Sequence, residues 1–150
     1  MTIAIAVTGE RDFAHESLVA CELDALASDE GQVRLFVGDC PTGADLYARN
    51  WWHARYPTGL KHQYPDPLVE VWQCGVHLMF VFVADWYPNG SKQIDKSAGP
   101  KRNTKLTKAI SASKADSKRA LAFFTGKGTG TNDCMKKLAA ERIRGEWVPA

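Results

Sequence analysis

Four short tracts combine glycine with hydroxyl, carboxylate or guanidinium side chains at spacings that suit a phosphate or a ribose. They are Thr8-Gly9-Glu10-Arg11-Asp12, Gly38-Asp39 with Gly43-Ala44-Asp45, Ala98-Gly99-Pro100-Lys101-Arg102-Asn103, and Gly126-Lys127-Gly128-Thr129-Gly130-Thr131. Glycine lets the backbone approach a ligand closely, and the free N–H groups of a helix start attract anions. One such tract is what any tight turn requires. Four of them at the junctions between elements mark a ligand site.

The charged and aromatic residues beside these tracts admit more than one role. Asp45 fits a ribose-ordering group or a general base, and equally the closing carboxylate of a capping box begun by Thr42. Arg102 stands in the first turn of a predicted helix, where a cation opposes the helix dipole, a placement that points to an anionic ligand. Trp86, directly after a predicted strand, is a candidate for stacking on a base. Cys134 lies near a predicted helix start, which can acidify a thiol. No histidine is linked to it in sequence, so it reads as a buried or bystander thiol.

Two familiar phosphate motifs are excluded. The tract at 126–129 lacks the earlier glycine of a Walker A loop, whose place is taken by Leu121 inside a strand. Its G-x-G-x-G spacing also misses the dinucleotide fingerprint and does not follow the first strand. Cys21, Cys40, Cys74 and Cys134 are scattered without a C-x-x-C pair, and His15, His53, His62 and His77 show no ligand spacing. Reduced thiols, no metal and no cofactor are expected.

These residues need elements to hold them. Apolar runs at 3–7, 33–37, 78–84 and 120–124 read as buried strands, with Trp147 and Val148 as a short last one. Helical patterns lie between them: 16–30 with Val19, Leu23 and Leu26 on one face, a helix capped by Thr42, one opened by Pro100 and running through Leu106 and Ile110, and one capped by Thr131. This alternation predicts a single α/β domain, an α/β sandwich around a mostly parallel sheet. The prolines Pro57, Pro65 and Pro67 interrupt it, and 56–76 reads as an insertion with one short strand or edge hairpin. In such a sheet the four tracts fall at the carboxyl ends of the strands, where ligands bind.

Composition agrees with a globular chain. Of 150 residues 45% are hydrophobic and 24% charged, which excludes the disordered class. No apolar run is long enough to cross a bilayer, and no basic residue precedes Arg11 as a secretory signal would require; a cytoplasmic protein with no membrane partner is expected. The net charge of +2 conceals a division at Gly90, with 5 basic and 12 acidic residues up to it and 14 basic and 5 acidic after it. A basic concentration of this kind raises the potential felt by an anionic partner.

Taken in order, the tracts resemble the SLOG superfamily, which includes the DNA-processing protein DprA and the LOG phosphoribohydrolases, and within it most nearly the YspA/YpsA-related branch. The resemblance rests on Thr8 to Phe13, Gly38 to Asp45, Ala84-Asp85-Trp86, Ala98 to Asn103 and Gly128 to Thr131. It implies a Rossmann-like three-layer sandwich. Thr8, Gly9, Arg11 and Asp12 would form the first ligand loop, Gly38, Gly43 and Asp45 the second. Trp86, Gly99, Pro100, Arg102 and Asn103 would line the site, and Gly128, Thr129, Gly130 and Thr131 would hold phosphate.

The departures bear on catalysis. The position of the LOG enzymes' glutamate is Cys134 here, so no catalytic residue is assigned and binding without turnover is expected. The ligand implied is a nucleotide or a nucleotide-derived molecule such as an ADP-ribose-like compound or a cyclic nucleotide, bound by a sensor or sequestering protein. A LOG-like N-glycosidic hydrolase using Glu10, Asp39 or Asp45, and a DprA-like binder of single-stranded DNA, are the alternatives. Where relatives carry serine after Thr-Gly, this chain has Glu10, which is unwelcome beside phosphate unless neutralised by Arg11. The resemblance also implies a homodimer or higher homo-oligomer, with Trp51 and Trp52 as the candidate surface.

Overall fold

The computed structural model describes residues 2–27, 31–64, 77–126 and 128–150. Six strands form one sheet: β1 (Thr2–Gly9), β2 (Gln32–Gly38), β3 (Leu60–Tyr64), β4 (Leu78–Phe82), β5 (Ser117–Phe124) and β6 (Arg144–Pro149). Four helices cover it: α1 (Glu16–Ala27), α2 (Gly43–Arg55), α3 (Ala98–Ala112) and α4 (Thr129–Ala140). The strand order is β3-β4-β2-β1-β5-β6, and every pair is parallel. The result is a Rossmann-like α/β sandwich.

The period of two along each strand divides the core. Ile5, Val7, Leu121 and Phe123 face α1 and α2, where they meet Val19, Leu23, Ala48 and Trp52. Ala4, Ala6, Ala120 and Ala122 face the other way, toward Leu106 and Ile110 of α3 and Leu138 of α4. Alanine on four adjacent positions of β1 and β5 lets those two helices lie close to the sheet. β2 is buried along its whole length, as a strand covered on both faces must be.

The chain runs outward from β1 through β2 to the edge strand β3, steps back to β4 between them, and then crosses the sheet to β5. That reversal falls between the carboxyl ends of β1 and β5, the position where open parallel sheets bind ligands. β3 lies within the predicted insertion and adds a parallel edge strand beyond β4, in register Leu60 with Leu78. The rest of that insertion, including Pro65, Pro67, Trp72 and Cys74, lies outside the described residues. His77, stacked on Tyr56 at 3.9 Å, accepts the N–H of Val33 on Nδ1, and burial holds its pKa below the ordinary value.

Three expectations are corrected. The last helix begins at Thr129 with Gly128 at the cap position, so Thr131 is not its cap but a buried residue of its first turn. Thr42 does stand at the N-cap of α2, yet its hydroxyl makes no capping bond and donates instead to the Arg11 carbonyl at 2.7 Å. Trp51 and Trp52 are core residues, 8% and 1% exposed, with Trp51 donating to Asp24, so they offer no pairing surface. No helix among the described residues is long and apolar enough to cross a membrane.

Candidate functional site

The carboxyl ends of β1, β2 and β5 bring the four tracts together. Gly9 and Phe123 are register partners, as are Val7 and Val37. Several of the glycines are required here by close packing. A Cβ on Gly9 would strike Ala44 and approach the Phe123 carbonyl oxygen at 2.8 Å. Gly43 has φ +74 and would drive a Cβ into the Glu10 carbonyl and to 2.7 Å from Arg11 Cα. By contrast, Gly126 and Gly130 have nothing within 4 Å of such an atom and open onto space.

A partly buried ionic cluster around the buried Asp45 lies at the β2 end. Arg102 donates to Asp39 at 3.3 Å, while Arg49 donates to the carbonyls of Gly38 and Cys40 at 2.7 and 2.8 Å. Asp45 is not the closing member of a capping box: its carboxylate accepts a backbone hydrogen bond from Cys40 and would lie 2.5 Å from a Cβ on Gly38. Burial pushes its carboxyl up to about 6, against the pull of Arg102 and Arg49. Arg49 is four residues beyond Asp45 and so on the same helix face; that spacing was the available signal for a residue absent from the sequence-based set.

The α3 and α4 starts are tied to one another. Asn103, 4% exposed, donates to the Gly130 carbonyl at 3.2 Å and to Asp133 at 3.1 Å. Lys137 donates to Asp133 at 2.7 Å and to the Pro100 carbonyl at 2.9 Å. Burial works against the Asp133 charge, but the bonds from Lys137 and Asn103 hold its pKa below the ordinary value. Asn103 therefore positions the Thr129-Gly130 turn. Trp86 packs its ring over Gly99, 3.3 Å from where a Cβ would be, and the α3 start carries its own carboxylate: Asp95 accepts from the Ser97 N–H and hydroxyl and from Lys101.

Glu10 reaches from the end of β1 to the end of β5. It is 7% exposed, and its Oε2 accepts the Thr125 N–H at 3.0 Å and the Thr125 hydroxyl. Thr125 was not among the expected residues, and a partner 115 positions away leaves no local signal. Arg11 and Asp12 are exposed. Lys127 lies outside the described residues. Thr8 points to Cys134, which is fully buried; burial raises its thiol to about 11, against a hydrogen bond with the Thr8 side chain. Such a thiol is not a nucleophile at neutral pH.

Chemically, the arrangement combines an exposed cation, a half-buried guanidinium and an open glycine turn with the engaged carboxylates of Glu10, Asp39, Asp45, Asp95 and Asp133, which suits polar recognition of a sugar phosphate. Among the described residues no group of three or more His, Cys, Asp or Glu side chains is placed to hold a metal. Comparisons with protein-family models, curated proteins and solved structures return no match.

Proposed function

We propose that this chain binds a nucleotide or nucleotide-derived ligand, such as an ADP-ribose-like molecule or a cyclic nucleotide, at the carboxyl ends of β1, β2 and β5. It would act as a sensor or sequestering protein, in keeping with the SLOG resemblance. The observation that carries this reading is the reversal of strand order between β1 and β5, the position at which open parallel sheets take ligands. Arg11, Arg102 and the open Gly130 turn, from three separate tracts, lie around that reversal.

Binding without turnover is supported by the state of the acids and the thiol. Cys134 is buried with a raised pKa, Asp39 is paired with Arg102, and Glu10 is held by Thr125. One observation favours hydrolysis as a second reading: Asp45, at about 6, titrates in the range a general acid or base uses.

A calorimetric and thermal-shift panel of AMP, cyclic nucleotides, ADP-ribose and oligo-dT, with chromatography of each mixture, tests both. Saturable binding of an intact mononucleotide-type ligand is expected. Arg102→Ala should weaken it by about 10- to 100-fold, the worth of a charged hydrogen bond. Undiminished affinity in that variant would refute the site, and release of free base with ribose phosphate would replace binding by hydrolysis.

A further inference from the structure

We propose that Asp39 sets the charge specificity of this site: its carboxylate holds Arg102 in the free chain, and the ligand's phosphate takes Arg102 by displacing it. This rests on the nucleotide-binding reading above and names the exchange by which the phosphate is received.

Arg102 is a cation held in place but little used. Its side chain is 19% exposed, and a guanidinium carries five N–H donors. Among the described residues it makes one hydrogen bond, from Nη1 to Asp39 Oδ1 at 3.3 Å, and its Nε is enclosed without a partner. Its position depends on the bare backbone of Gly38, where an added Cβ would come within 3.0 Å of Nη1 and 3.2 Å of Cζ. A fixed guanidinium with spare donors suits an anion that offers several oxygens at once.

Asp39 is the member of the pair that can leave. Its bond to Arg102 is single and long for a charge-assisted one, whereas the Arg55–Asp24 and Lys137–Asp133 pairs close to 2.7 Å. Its carboxylate is 33% exposed, so water replaces the lost contact at modest cost. The backbone on either side is pinned, since Arg49 donates to the carbonyls of Gly38 and Cys40. Turning the Asp39 side chain outward therefore leaves the loop in place. Asp45 lies near the same guanidinium but is 5% exposed and has no such freedom.

A phosphate joining Asp39 on Arg102 would set two anions against one partly buried cation, where like charges repel far more than in bulk water. Exchange avoids that repulsion. A phosphate brings two charges and several acceptor oxygens against one carboxylate bond, and a neutral hydroxyl brings neither. Asp39 thus keeps the seat from weakly charged ligands and yields it to a phosphate.

The test compares the intact wild-type chain with Asp39→Asn, which keeps an acceptor for Nη1 without the charge, and Asp39→Ser, which withdraws the group. Melting temperatures show that each variant folds. Titration calorimetry at about pH 8, where a phosphate monoester carries two charges, uses AMP, ADP-ribose and adenosine. Both variants should bind AMP and ADP-ribose about three- to tenfold tighter than wild type, the worth of a partly exposed ion pair that no longer has to be broken. Adenosine affinity should stay within about twofold. The gain should vanish when Arg102→Gln is added, because the competition is for its guanidinium. Nucleotide binding by the variants alone would equally support the exchange. If wild type binds AMP or ADP-ribose but the variants bind them no tighter, or adenosine shares the gain, or the gain survives Arg102→Gln, the Asp39 assignment is wrong and the binding reading stands. If neither wild type nor variants bind either nucleotide while folding normally, the binding reading itself falls, and the exchange with it.

Discussion

Asp45 carries its proton to unusually high pH because it is buried, and Arg102 and Arg49 offset only part of that cost. Between about pH 4 and 6 the folded chain binds a proton that the unfolded chain has released. Stability should therefore fall as pH rises through this window, by about 3 kcal/mol from this group. Urea denaturation at pH 4.5 and 7 should show that fall in wild type and a flatter profile in Asp45→Asn; parallel profiles would mean that the carboxyl titrates normally. Asp95 acts in the opposite sense and at lower pH. The Ser97 hydroxyl, Lys101 and the Ser97 N–H hold it down to about 2, so its contribution is present above about pH 4 and lost as pH falls toward 2. Cys134 gives a kinetic prediction. In the native chain a maleimide at pH 7.5 should modify exposed Cys21 and half-buried Cys40 while Cys134 stays unlabelled, as read by peptide mass mapping.

The glycines separate positions that serve the fold from positions that serve a ligand. Gly43→Ala forces a side chain into a left-handed conformation and into the Glu10 carbonyl, and should destabilise by about 1–3 kcal/mol or more in chemical denaturation. Gly130→Ala has open space and sits in a helix, so stability should hold or rise by up to about 1 kcal/mol. If the bare turn serves a ligand, that same variant should bind more weakly although it folds as well. The element pattern itself was largely legible. Strand and helix signals put β1, β2, β4, β5 and the four helices in place to within a few residues, because buried strands and amphipathic helices write their periods into the chain. The α4 start was misplaced because a Thr-Gly-Thr tract offers two hydroxyl candidates, and the cap position went to glycine. Thr42 was located correctly, but its bond was not, since the competing acceptor is the Arg11 carbonyl, 31 residues away.

The charge division at Gly90 has a structural counterpart. Arg102 on α3 belongs to the basic part and meets Asp39 of the acidic part in the fold, while Lys137 on α4 meets Asp133 within the basic part. The candidate site is thus more nearly neutralised than the linear count implies. A ligand with one or two phosphates should accordingly show a log affinity against log salt slope no steeper than about −2, whereas a single strand contacting many phosphates would give about −0.7 per contact. Measuring that slope from 50 to 300 mM salt separates a mononucleotide site from a nucleic-acid groove. The two-tryptophan segment teaches the same lesson about packing: its residues are apolar and large enough for an interface, but the helix period turns them inward against β1 and β2.

Length, composition and periodicity were sufficient to specify an α/β sandwich with a parallel sheet and to place the four tracts at the strand ends, since these properties depend on local pattern and on which faces must be buried. The partners of the charges required the folded chain. Glu10 with Thr125, Asp39 with Arg102 and Asn103 with Asp133 join residues 115, 63 and 30 positions apart. Local sequence carries no trace of such pairings, because they arise when the sheet order β4-β2-β1-β5 sets distant loops side by side and leaves their charges nowhere else to go.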